Sequence, residues 1–174
     1  MFFSVKELEL RKIRFETGFP PGQIEFLDGS LKQRAPFEVS GIAELVTGGE
    51  EIRVRGHLAG TVASDCDRCL EPIQVPMDGD FDLYYRPAES DWDAVEMELS
   101  PAEVEVGFYE NGGLELADVV REQILLWLPM QRLCRPECKG ICPTCGQNRN
   151  TTERSCRAER IDERWRALSQ LQGD

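Results

Sequence analysis

Seven cysteines are the residues of this chain best suited to chemistry, and five of them lie between positions 134 and 156. Cys134, Cys138, Cys142 and Cys145 are separated by three, three and two residues, and Cys156 follows eleven positions on. Cys142-Pro143-Thr144-Cys145-Gly146 has the form of a zinc knuckle. Two residues between thiolates let one tight turn present both sulfurs to one metal, and a glycine after the turn accepts the left-handed backbone this requires. Four thiolates close a tetrahedron around Zn²⁺ and leave no position for water, which makes such a site structural. The expected ligand set is Cys134, Cys138, Cys142 and Cys145, with Cys156 able to replace Cys134. Arg135, Lys139 and Arg149 would offset part of its negative charge. The competing reading is free reduced thiols in a loop.

A second pair, Cys66-Asp67-Arg68-Cys69, lies between two strand-like stretches. A thioredoxin-type dithiol sits where a strand meets a helix N-terminus, whose dipole lowers the thiol pKa. Here Leu70-Glu71-Pro72-Ile73-Gln74-Val75 follows, which reads as strand, and Asp65 and Asp67 would raise the thiol pKa. A redox pair is therefore the weaker reading. Cys66 and Cys69 are alternative metal ligands, or simply pack a β-turn.

Other chemistry is thinly represented. The chain has one histidine, His57, on the polar side of a strand pattern, which removes most His-based triads and metal sites. There is no Gly-rich phosphate loop and no nucleophile elbow. Glu89, Asp91, Asp93 and Glu96 form an acidic stretch that could meet a basic protein, or be a solvated loop face. Arg149, Arg154, Arg157, Arg160, Arg164 and Trp165 could contact RNA phosphate and stack on a base. Glu153, Glu159, Asp162 and Glu163 interleave with them, so a salt-bridged helix face is an equal reading.

The elements that must position these residues show in the hydrophobic period. Phe37 to Leu45, Ile52 to Val62, Ile73 to Met77 and Phe81 to Tyr85 alternate at period two, the mark of strands with one buried face. Thr47-Gly48-Gly49-Glu50 reads as a hairpin turn. Pro20-Pro21-Gly22 and Arg86-Pro87 read as breaks, and Val104, Val106 and Phe108 as a further strand closed by Asn111-Gly112-Gly113. Leu116, Val119, Val120, Gln123, Ile124 and Trp127 then recur at helical spacing until Pro129, with Leu125, Leu126 and Leu128 widening the apolar stripe. A last short helix is expected over Ile161 to Leu171.

With 174 residues, 41% hydrophobic and 30% charged, the chain can bury a core without disulfides. The net charge of -12 is uneven: -1 over residues 1–60, -14 over 61–130 and +3 over 131–174. It excludes a chain that coats nucleic acid along its whole surface, and an anionic-membrane binder. Charge appears by Lys6, and no apolar run long enough for a signal peptide follows. The expected location is the cytoplasm, where thiols stay reduced and clustered cysteines favour metal over disulfides.

Three stretches together resemble the YceD family of large ribosomal RNA subunit accumulation proteins. They are Cys66 to Pro72, Leu116 to Pro129 and Cys138 to Asn148, followed by Ile161-Asp162-Glu163-Arg164-Trp165. Members often carry a Cys-x-Cys pair near the end, where this chain has Arg154 in the first position, and Pro where it has Glu163. The resemblance implies a role in large-subunit rRNA accumulation and ribosome assembly, with a ribosomal protein or pre-ribosome as partner and no enzymatic reaction.

The expected protein is of the α+β class. Residues 1–130 form an antiparallel sheet that could be barrel-like, covered by one amphipathic helix at 116–128. Residues 131–174 form a Cys-rich, zinc-binding segment with a short helix. The expected function is non-enzymatic support of large-subunit rRNA accumulation through a basic ribosomal protein or pre-ribosome, without membrane or small-molecule substrate. The alternatives are a dithiol redox protein using Cys66 and Cys69, and a direct RNA binder using the Arg-rich tail.

Overall fold

The structure, a computed structural model, describes residues 1–46, 50–88, 106–151 and 156. The chain divides into two compact units. One holds Met1–Asp65 and Pro72–Arg132; the other holds Cys66–Glu71 and Leu133–Asp174. Among the described residues no helix is long and apolar enough to cross a membrane.

The first unit opens with β1 (Phe2–Ser4), α1 (Val5–Leu8), β2 (Ile13–Phe19) and β3 (Lys32–Gln33). It continues with β4 (Phe37–Leu45), β5 (Ile52–Asp65), β6 (Pro72–Pro87), β7 (Val106–Tyr109), β8 (Gly113–Glu115) and α2 (Leu116–Trp127). The main sheet runs β2-β4-β5-β6-β7, with β3 also paired to β5, while β1 and β8 form a separate two-stranded sheet. Val39 faces Leu58, Ala43 faces Val54, and Val54 faces Leu83 across antiparallel ladders. Period-two sequence becomes a buried face because successive side chains of a strand point to opposite sides. Phe15, Phe37, Val39, Ile52, Val54, Leu58, Val62, Phe81 and Tyr85 all enter one core.

Two expectations about the sheet need correction. It is not closed into a barrel: β2 and β7 stand at opposite ends of the strand order. Nor is it purely antiparallel, because β7 runs parallel to β6, with Tyr84 against Val106 and Pro87 against Tyr109. A parallel pair needs a long connection, and the chain from Pro87 to Val106 is long enough to supply one. Glycine sets how closely β4 and β5 approach. Gly41 and Gly56 lie directly opposite, and a Cβ on Gly56 would overlap the Ser40 carbonyl.

Asn111 and Gly112 adopt φ of 56° and 71°, the left-handed pair that a tight turn between β7 and β8 requires. Helix α2 buries Leu116, Val119, Val120, Gln123 and Ile124, whereas Leu125 and Leu126 are exposed, so the apolar stripe is narrower than the sequence suggests. Leu128 turns to an extended conformation (φ -61°, ψ 132°), as a residue before proline prefers. Tyr85 donates from its hydroxyl to Glu122 at 2.8 Å, joining β6 to α2.

The turn at Thr47 to Gly49, the strand start at Val104 and the helix over Ile161 to Leu171 lie outside the described residues.

Candidate metal centre

In the second unit the chain between β5 and β6 makes a knuckle. The Cys66 N–H donates to the Glu71 carbonyl at 2.8 Å, and the Leu70 N–H donates back to the Cys66 carbonyl at 2.9 Å. Leu70 closes the turn with φ of 61°, a left-handed conformation uncommon for a residue of its type. The turn brings Cys66 and Cys69 to one side, both buried.

Two cysteines from far along the chain complete the cluster. Cys138 Sγ lies 3.8 Å from Cys66 Sγ, and Cys134 Sγ lies 3.6 Å from Cys69 Sγ. The sulfurs of Cys66, Cys69, Cys134 and Cys138 all fall within 4.8 Å of one another. Thiolates bound to one metal at about 2.3 Å in a tetrahedron stand about 3.8 Å apart, so the donor set and its spacing fit a single ion. All seven cysteines are free thiols.

Polar groups around Cys66 and Cys138 favour thiolate. Burial pushes the Cys66 thiol up, but N–H groups of Cys134, Cys69 and Arg68 outweigh it and bring it down to about 6. The Cys134 N–H reaches Cys66 Sγ at 3.3 Å. Burial also pushes Cys138 up, yet the Asn150 amide and the Gly140 N–H pull it below its ordinary value. Asn150 Nδ2 donates to Cys138 Sγ at 3.3 Å, while its Oδ1 accepts the Lys139 N–H at 2.9 Å. Burial and the neighbouring thiols of Cys138, Cys69 and Cys66 push Cys134 up to about 12.

Residues 140–149 form a hairpin in the same unit. Ile141 and Asn148 bridge, and the Arg149 N–H donates to the Gly140 carbonyl at 2.9 Å. Its tip repeats the first knuckle. The Cys142 N–H donates to Gln147 O at 2.8 Å, the Gly146 N–H donates to Cys142 O at 2.8 Å, and Gly146 has φ of 70°. The N–H groups of Cys145 and Thr144 bring the Cys142 thiol down to about 7, against the upward push of burial. Two contacts tie this hairpin to residues 66–71, and one ties Arg68 to the Cys138 turn. The Ile141 N–H donates to Arg68 O at 2.9 Å, Arg68 Nη1 to Cys138 O at 3.2 Å, and Asn148 Nδ2 to Glu71 Oε1 at 3.1 Å.

The expected ligand set is thus divided. Cys134 and Cys138 gather with Cys66 and Cys69, whereas Cys142 and Cys145 gather with Cys156, whose Sγ is 3.7 Å from that of Cys145. The reason is that each two-residue knuckle points both sulfurs to one side, so two knuckles organise two clusters. Cys66 and Cys69, read as alternatives, stand in the first cluster and are both buried. Asn150, Asn148 and Arg68 were not singled out by sequence, since nothing in spacing marks a hydrogen-bonding neighbour of a thiolate. His57 sits between carboxylates, with Nδ1 2.9 Å from Asp80 and Nε2 3.3 Å from Asp78. Arg149 is placed in the hairpin. Glu89, Asp91, Asp93, Glu96, Arg154, Arg157, Arg160, Arg164 and Trp165 lie outside the described residues.

A mixed-sheet unit joined to a unit with clustered thiols that could hold metal defines the class: a β protein carrying a cysteine-rich module. The chain belongs to the YceD family, described as large ribosomal RNA subunit accumulation protein YceD, which matches residues 54–172. An uncharacterized protein of Mycobacterium tuberculosis is 31% identical over 128 residues, covering 71% of this chain and 57% of the relative. The chain therefore spans a little over half the length of that relative. The chloroplastic large ribosomal RNA subunit accumulation protein YCED homolog 1 of Zea mays is 30% identical over 116 residues, covering 66% of this chain and 33% of the relative. The uncharacterized protein YlbN of Bacillus subtilis is 19% identical over 173 residues, covering 97% and 93%. No solved structure matches.

Proposed function

We propose that this chain is a non-enzymatic factor that supports accumulation of large-subunit ribosomal RNA during ribosome assembly in the cytoplasm. The observation that carries the reading is the family match over residues 54–172, which takes in most of strand β5, strands β6 to β8, helix α2 and all seven cysteines. The partner is a basic ribosomal protein or a precursor of the large subunit. Residues 61–130 carry a net charge of -14, and charge complementarity raises encounter rate and selects partners of opposite sign. In this reading Zn²⁺ is held by Cys66, Cys69, Cys134 and Cys138 as a structural ion that joins the 66–71 turn to the 133–138 segment. A closed set of four thiolates supplies folding energy and leaves no coordination position for chemistry.

Burial favours this over a redox dithiol. Cys66 is fully buried, Cys69 is nearly so, and each has a further sulfur within 3.8 Å. An exchanging dithiol needs an accessible thiolate.

The test is depletion of the protein in its own cells, with the ratio of large- to small-subunit rRNA as readout. The expected result is a lowered ratio restored by the wild-type chain, with the protein co-sedimenting with large-subunit precursors. An unchanged ratio on depletion overturns the proposal.

A further inference from the structure

The first cluster uses four of the seven cysteines, and the remaining three are gathered as well. Cys142, Cys145 and Cys156 offer sulfurs that all lie within 4.8 Å of one another. The Cys145 to Cys156 separation of 3.7 Å is again the edge of a thiolate tetrahedron, about 3.8 Å. Two of the three come from a knuckle that copies the first in its hydrogen bonds. In each, the first cysteine donates to the carbonyl five residues on and accepts from the N–H four residues on, and a left-handed residue follows the second cysteine. The difference lies in surroundings. In the first cluster Cys66, Cys69 and Cys138 are buried and Cys134 is exposed, whereas in the second Cys145 and Cys156 are exposed and Cys142 is half-buried.

From this we infer that the chain binds a second metal ion, Zn²⁺, at Cys142, Cys145 and Cys156, in a three-thiolate centre whose fourth donor is an oxygen. The donor inventory dictates that fourth ligand. With four cysteines in the first cluster and three in the second, no thiolate remains. The single histidine is engaged by Asp80 and Asp78. Water or a carboxylate is then the donor that completes a tetrahedral zinc site. Three thiolates select zinc over magnesium or calcium, which prefer oxygen shells. Exposure and an exchangeable fourth ligand make this ion the more labile of the two. The chain thus carries one closed structural centre and one open centre at which an outside donor can replace water.

The inference rests on assigning Cys66, Cys69, Cys134 and Cys138 to the first centre, and its test separates the two. Purified full-length chain is loaded with Zn²⁺ and weighed intact by native mass spectrometry. The expected mass carries two zinc ions, and Cys145→Ser/Cys156→Ser carries one. The same number of ions on the wild-type chain and on the variant overturns the second centre. A chelator titration of the wild type needs no variant to fold. Stepwise chelation followed by alkylation and peptide mapping is expected to expose Cys142, Cys145 and Cys156 first, with Cys66, Cys69, Cys134 and Cys138 protected until more chelator is added. All seven reacting together contradicts two centres of unequal lability. Reaction of the first four without chelator, while the other three stay protected, removes the first centre and leaves the second standing.

Discussion

Cys66 and Cys138 stand 72 positions apart in sequence, and their sulfurs lie 3.8 Å apart. Arg68 links the same two segments, donating to the Cys138 carbonyl at 3.2 Å and accepting the Ile141 N–H on its own carbonyl at 2.9 Å. The backbone geometry that assembles the thiols is therefore held by ordinary hydrogen bonds as well as by any ion. Loss of a ligand should loosen this unit while leaving the sheet folded. Zinc removal from the wild type is expected to raise amide exchange at residues 66–71 and 133–151, and to leave β4, β5 and β6 protected. Uniform loss of protection contradicts this division.

Asn150 is the neighbour whose removal should be felt at the metal. Its amide donates to Cys138 Sγ, and partners of this kind typically change metal affinity by about 10–100-fold. Asn150→Ala is expected to weaken binding at the first centre by about 10-fold, measured by competition with a chromophoric chelator. Equal affinity for variant and wild type contradicts the role.

Glu44 gives the sheet unit a pH signature. Its carboxylate is nearly buried and pairs with Lys12, with Arg55 at 3.8 Å and Arg53 at 4.0 Å. The hydrogen bond from Lys12 is the largest influence; it and the charges of Lys12, Arg55 and Arg53 outweigh burial and hold the pKa below the usual glutamate value. A depressed folded-state pKa contributes stability above the unfolded value of about 4.3, lost as pH falls through the folded value. Glu44→Gln is expected to cost about 1–2 kcal/mol at pH 7, with the gap narrowing below about pH 4. Denaturant midpoints across pH check it, and a gap independent of pH contradicts it.

Tyr85 ties β6 to α2 through Glu122, and burial raises the pKa of its hydroxyl, so it stays protonated and donating at neutral pH. Tyr85→Phe removes the bond and little volume. The expected loss is about 1 kcal/mol by denaturant unfolding. A variant as stable as the wild type would show that the hydroxyl contributes nothing.

Much of the sheet could be read from the chain because its long strands repeat the period many times. β5 spans 14 residues and β6 spans 16, and their buried positions fall where Val54, Leu58, Val62, Met77, Phe81 and Tyr85 alternate. β1, β3 and β8 have three, two and three residues, too few for a period to show. The parallel pairing of β7 escaped because direction depends on a crossover, not on the alternation within a strand. Cysteine spacing pointed to thiols that could hold metal but not to their partition into two clusters. Neighbouring positions suggested that Cys134 to Cys145 act as one set, whereas the 66–71 turn, distant in sequence, supplies half of the four-cysteine cluster. Local spacing identifies a knuckle, and which knuckle meets which cysteines is a property of tertiary structure.

The most direct test of the four-cysteine centre removes the other three cysteines. X-ray absorption at the zinc edge of the Cys142→Ser/Cys145→Ser/Cys156→Ser chain reports the shell around the remaining ion. The expected result is one zinc per chain with four sulfurs at about 2.3 Å and no lighter atom in the first shell. An oxygen or nitrogen in that shell, or a chain without zinc, contradicts a centre built by Cys66, Cys69, Cys134 and Cys138.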